Sequence, residues 1–179
     1  HIGVLACLAE FDLLRYVEVL SCVSGGSIIG AYYYLELRAL LRQKSDAELT
    51  PRDYVELVRR VEQRFFAGVE SDIRASVVIG AGALAKLFFK PGFSATERLA
   101  ELYEREIFAR VGDDVPRRMR DLHVIPKGES VDFTPKLHNL RRRAKVPTLV
   151  LNATSLNTGH NWQFRLVVGR VARADRRAR

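Results

Sequence analysis

The residues with the clearest chemical potential lie in VEVLSCVSGGSIIGAYYYLEL, positions 17–37. Ser24 stands there between an apolar, β-branched run and an apolar run of helical character, with Gly25 and Gly26 directly after it. A serine hydroxyl is a weak nucleophile. It needs a base, an exposed position and amide donors for the oxyanion. A sharp strand–serine–helix turn provides two of these, because it lifts Oγ out of the sheet and aims helix N-terminal amides at the developing charge. Ser24 is therefore the candidate nucleophile. Such a turn demands small neighbours, since strand and helix pass close to each other. Gly25 and Gly26 meet that demand on one side. On the other, Cys22 stands where the motif usually has glycine, so the pattern is C-V-S-G-G rather than a complete G-x-S-x-G. The structural alternative is that Ser24 only caps the following helix. Ser27 is available for that role instead.

The flanking elements must position this turn. Residues 2–14 are apolar at helical spacing (Val4, Leu5, Leu8, Phe11), and YVEVLSCV (16–23) alternates and reads as a buried strand. SIIGAYYYLELRALLRQ then reads as a helix. Helix, strand, tight turn and helix are the ingredients of an α/β sandwich with a parallel sheet. Residues 45–145 are expected to be mostly helical. Thr50 can cap a helix with Pro51 in its first position, and Tyr54, Leu57, Val58, Val61 and Phe65 form its apolar stripe. Ser94 and Glu97 predict a capping box for a further helix, with Leu99, Leu102, Tyr103 and Ile107 as its stripe and Gly112 beyond its end. Residues 73–93 are apolar, glycine-bearing and flanked by cations. They read as a core or loop-packing segment, or as a lid or interfacial segment. From Pro147 the β pattern returns: TLVLNAT (148–154) as a buried strand, SLNTGHN as a turn and WQFRLVV (162–168) as a paired strand. We see no internal repeat, low-complexity linker or P-loop. The expected plan is one domain, 1–179, with an elbow region at 1–44, a helical insertion at 45–145 and returning strands with a basic tail at 146–179.

Composition limits the possible partners. The 179 residues are 47% hydrophobic, enough for a sizeable core. The two cysteines, Cys7 and Cys22, form no CxxC pair and read as reduced core thiols, compatible with a cytoplasmic protein. Formal net charge is +8, from 29 Lys+Arg against 21 Asp+Glu, which favours anionic partners. Much of the excess sits in HNLRRRAK (138–145) and RVARADRRAR (170–179), expected to be solvated basic segments. No aromatic residues interleave with these arginines, so a nucleic-acid stacking surface is not expected. The longest uncharged apolar run, ASVVIGAGALA (75–85), falls far short of the roughly 20 residues of a membrane span. The chain begins at His1 inside a helical run and ends in a basic run, which suggests a part of a longer protein.

HIGVLACLAEFDLL together with VEVLSCVSGGSIIGAYYYLEL resembles the nucleophile region of the patatin-like phospholipases. A second segment resembles the same family in the same order: VPTLVLNATSLNTGHNWQF (146–164) carries its N-A-T-x-L-x-T-G pattern. The two cover residues 1–37 and 146–168. The resemblance implies an α/β fold, a three-layer α/β/α sandwich with a mainly parallel sheet, here with a helical insertion and incomplete at both ends. It implies a Ser–Asp dyad and hydrolysis of lipid acyl esters, of phospholipase or lysophospholipase type, through an acyl-enzyme. Ser24 is then the nucleophile and Gly25 lends a backbone amide to the oxyanion. The family's aspartate lies in an Asp-Gly motif after the segment matching 146–168, and its main oxyanion loop lies before the residue matching His1. No Asp-Gly occurs in this sequence, so neither role is carried over, and residues 1–179 alone are expected to be inactive. A dyad needs no histidine, so His1, His123, His138 and His160 need no catalytic part. No histidine pair has metal-ligand spacing, and neither metal nor other cofactor is expected.

The leading expectation is thus a serine lipid acyl hydrolase that touches anionic membrane surfaces peripherally and binds no nucleic acid. The alternatives are a Ser-His-Asp esterase of the α/β-hydrolase type, and a basic module that binds lipid or nucleic acid without catalysis.

Overall fold

The computed structural model describes residues 1–79, 103–105, 107–111, 118–155 and 157–165. Helix α1 (Ile2–Glu10) forms where the apolar spacing is helical, and it buries Leu5 and Ala9. It stops at a turn in which Asp12 takes φ 57°, a left-handed conformation aspartate tolerates. Arg15 is buried there and donates from Nε to Asp12 Oδ1 at 2.6 Å. The chain then enters strand β1 (Val19–Val23), shorter at its start than the alternating pattern suggests because Leu14–Tyr16 coil into a 3-10 turn.

Helix α2 (Gly25–Gln43) follows directly. Its central run Tyr32–Arg38 is buried on every side, as expected for a helix at the centre of a domain. Helix α3 (Pro51–Ile79) packs against both α1 and α2. Its expected stripe is real: Tyr54, Leu57, Val58 and Val61 are buried, with Phe65 half-buried beside the core. The start differs in detail. The Thr50 hydroxyl donates to Asp53 Oδ2 rather than capping backbone, and Asp53 also accepts the Thr50 amide at 2.8 Å. Glu36, buried on α2, accepts from Arg64 Nη1 at 2.7 Å and ties the two helices together.

Residues 118–147 hold only short turns, including the one-turn helix α4 (Pro135–His138), rather than the mostly helical run expected. Pro126, Pro135 and Pro147 remove amide donors, and Gly128 takes φ 86°, so a long helix cannot form there. The segment is held instead by long-range hydrogen bonds. Arg142 of the arginine run is 5% exposed, not solvated as expected. It donates to Glu129 Oε1 at 2.6 Å and to the Ala144 carbonyl at 2.9 Å, while Asp46 accepts the amides of Arg143 and Ala144. The partners that neutralise it are distant in sequence, which hid its burial. The 170–179 run, the Ser94–Glu97 box, the stripe residues Leu99 and Leu102, Gly112 and residues 80–93 lie outside the described residues.

Lys127 closes another link. Its amide donates to Leu41 O at 2.8 Å and its ammonium to Glu48. The Ser45 amide, the Ser45 hydroxyl and Lys127 together hold the Glu48 carboxyl down to about 2 from an ordinary value of 4.5. A depressed carboxylate stabilises the fold above its unfolded pKa and loses that effect as pH falls. Glu48→Gln should therefore lower the melting temperature at neutral pH. The gap to the parent chain should close between about pH 5 and about pH 2 in a series of thermal melts. A gap that does not depend on pH would show that the carboxylate charge is irrelevant to this link.

Strand β2 (Thr148–Thr154) matches the expected boundaries, and β3 (Asn161–Arg165) follows. The sheet order is β1-β2-β3. β1 and β2 are parallel, from Val19 opposite Thr148 to Val23 opposite Asn152. β2 and β3 are antiparallel. The described sheet is thus mixed rather than mainly parallel. The reason is connection length: residues 155–160 are too few for a crossover and can only form a hairpin turn, with Gly159 at φ 69°.

Candidate active site

Ser24 lies between the last residue of β1 and the first of α2, with φ 54° and ψ −132°. A side chain rarely adopts this backbone, and such strain persists only when surrounding structure imposes it. Here the sheet fixes Val23 through its pairing with Asn152, and α2 fixes Gly25 as its first residue. Ser24 is exposed, and its side chain makes no capping bond to the helix. Only its carbonyl is used, accepting the Ser27 amide at 2.8 Å. Simple capping by Ser24 therefore does not explain the residue. The N-terminal amides of α2, Gly25 first among them, have no acceptor inside the helix and sit at its positive end.

The steric basis of the turn is not where the sequence suggests. A Cβ at Gly25 would meet nothing within 4 Å, and one at Gly26 would only touch the His1 imidazole at 3.5 Å. The tight spot is a turn further on: a Cβ at Gly30 would overlap Cys22 Sγ. Gly30 supplies the space that Cys22 takes up. Sequence reasoning missed Gly30, whose only signal is a glycine inside an apolar helix. Burial pushes the Cys22 thiol up from its ordinary value, so it is an inert packing group. Cys7 is exposed, not a core thiol, because it lies on the outward side of α1.

Beneath the elbow a polar ladder crosses all three strands. Asn152 Nδ2 donates to Ser21 Oγ and to the Cys22 carbonyl, each at 3.0 Å, and Gln163 Nε2 donates to Asn152 Oδ1 at 3.2 Å. The first residue of N-A-T-S-L-N-T-G is thereby bonded to the strand that carries Ser24. Beside β1 runs an apolar cavity of about 560 Å³, lined by Val4, Leu8, Leu20, Val23, Ile29 and Tyr33 and reaching Gly26. It is built by residues from 1 to 33, none from 45–145.

Among the described residues no carboxylate or imidazole is hydrogen-bonded to the Ser24 hydroxyl. His123 Nε2 lies 3.2 Å from the Phe133 carbonyl, His138 Nδ1 takes the Thr134 amide at 3.0 Å, and His160 is exposed in the β2–β3 turn. Only His1 approaches the elbow, through Gly26. Among the described residues no three His, Cys, Asp or Glu side chains come together as a metal-holding group, and no helix is long and apolar enough to cross a membrane. We find no match to this chain among protein-family models, curated proteins or solved structures.

Proposed function

We propose that this chain carries the nucleophile half of a patatin-like serine acyl hydrolase, with Ser24 as nucleophile and the Gly25 amide as an oxyanion donor. The observation that carries the reading is the backbone of Ser24: a strained, exposed serine with its hydroxyl unused, at the positive end of a 19-residue helix. The apolar cavity that reaches Gly26 supports an acyl chain as the substrate's body.

Ser24 Oγ attacks the ester carbonyl carbon while its proton passes to a carboxylate. The tetrahedral oxyanion takes hydrogen bonds from the α2 amides. Collapse breaks the ester C–O bond, and the carboxylic acid returns its proton to the leaving alcohol. Water then hydrolyses the acyl-enzyme by the reverse sequence. The carboxylate belongs to an Asp-Gly motif that this reading requires after residue 179, within the three-layer sandwich of that family. The +8 balance supports peripheral contact with anionic lipid. A second reading, lipid binding without catalysis, draws on Cys22, which stands where the nucleophile motif usually has glycine.

The test is fluorophosphonate labelling of the chain extended by its natural flanks, read by mass spectrometry. An adduct on Ser24 that disappears in Ser24→Ala supports the hydrolase. A folded protein with no adduct favours lipid binding alone.

A further inference from the structure

A second pocket lies at the other end of the sheet. It is about 580 Å³, within the range of small-molecule sites, and is lined where β2 begins and β3 ends. Because β1 and β2 are parallel, Thr148 pairs with Val19, five residues and roughly 16 Å from Ser24. The pocket is therefore separate from the elbow, and nothing in this inference depends on the reading of Ser24.

Its chemistry is two-sided. Tyr34, Val124, Leu137 and Leu149 give it an apolar lining, and Leu137 is 67% exposed at the rim of the short helix α4. Lys136 and Arg165 line the same space, and among the described residues no Asp or Glu does. Several cations elsewhere are paired with carboxylates: Arg15 with Asp12, Lys44 with Asp53, Lys127 with Glu48, Arg142 with Glu129. Lys136 and Arg165 have no such partner among the described residues. His123 is already committed to the Phe133 carbonyl. Two exposed cations with no carboxylate beside them among the described residues, and an apolar wall, together favour one kind of ligand.

We propose that this pocket binds an amphiphilic anion, a single carboxylate or phosphate headgroup on an apolar chain, with Lys136 and Arg165 holding the head and Leu137 and Leu149 the chain. Charge complementarity sets the sign of the head, and the exposed leucine sets the need for a chain.

Isothermal titration of the whole chain with dodecanoate and with dodecyl phosphate tests this, both kept below micelle formation. Saturable binding that the double charge reversal removes is expected, beside any binding in the acyl cavity at the elbow. The former should weaken by roughly tenfold or more in Lys136→Glu/Arg165→Glu, as expected on losing charge-assisted bonds. Both side chains are solvent-facing, so the double variant should fold, as circular dichroism would check. Ser24→Ala should bind as the parent does. Tighter binding of dodecanoate would identify fatty acids as the ligand class, and tighter binding of dodecyl phosphate would identify phosphomonoester lipids. Equal affinity for dodecyltrimethylammonium, or for inorganic phosphate alone, would overturn the proposal, as would unchanged affinity in the double variant.

Discussion

Ser24→Gly is expected to make the protein more stable, by about 0.5–2 kcal/mol, while removing any fluorophosphonate adduct. Holding a side chain in a sparsely populated backbone region costs about 1–3 kcal/mol. Glycine escapes that cost at φ 54° but brings about 0.5–1 kcal/mol of extra chain entropy to the unfolded state. The relief is the larger effect. Ser24→Ala keeps the Cβ and so the strain, and its stability should stay within about 0.5 kcal/mol of the parent. Both variants lose the nucleophile. Urea denaturation of the three proteins, with unchanged m-values, measures the difference. If glycine and alanine come out equal, the elbow is not strained, and its backbone geometry says nothing about function.

The second large effect is at Gly30. Gly30→Ala places a methyl into Cys22 Sγ, between a buried helix and a buried strand residue. Overpacking a core costs about 1–3 kcal/mol. Alanine returns about 1 kcal/mol through helix propensity. Neither group is the free end of a long side chain, so the overlap wins and a net loss of about 1–2 kcal/mol is expected. Cys22→Gly in the same chain should recover most of it, because the volume simply moves from strand to helix. The coupling between the two positions, read from a double-mutant cycle, should exceed about 0.5 kcal/mol. Labelling of Ser24 should slow in Gly30→Ala and recover in the double variant, since Cys22 sits two residues before the nucleophile. Strict additivity would show that the strand and helix do not set each other's position there.

The turn itself was legible because it depends on local chemistry: an apolar strand, a serine, two glycines and an apolar helix are contiguous. The limits of β2 were legible for the same reason, with Pro147 before it and a polar turn after it. What escaped the sequence is what depends on distant partners. Gly30 could be understood only once Cys22 was known to lie against it. Arg142 looked like part of a solvated run until Glu129 and Asp46 were seen around its guanidinium. Cys7 and Cys22 look alike as letters, yet α1 turns one outward while the sheet turns the other inward. The β2–β3 pair was legible too, as a strand paired across a short turn, and its antiparallel sense leaves the described sheet mixed rather than mainly parallel.

The parallel pairing of β1 with β2 also sets a timetable. Val19 waits for Thr148 across roughly 130 residues, a closure that carries a large entropic cost and belongs to slow, non-local folding. The β2–β3 hairpin needs no such wait. On the ribosome, at about 5–20 residues per second, β1 is made roughly 6–26 s before its partner emerges. During that interval the edge of β1 that β2 will cover is open, and the Asn152 side chain that will clasp Ser21 and Cys22 does not yet exist. The elbow is thus synthesised well before β2 and takes its working shape only after it. Chaperone capture or aggregation of nascent chains should therefore map to residues 17–37, not to the hairpin at the other end.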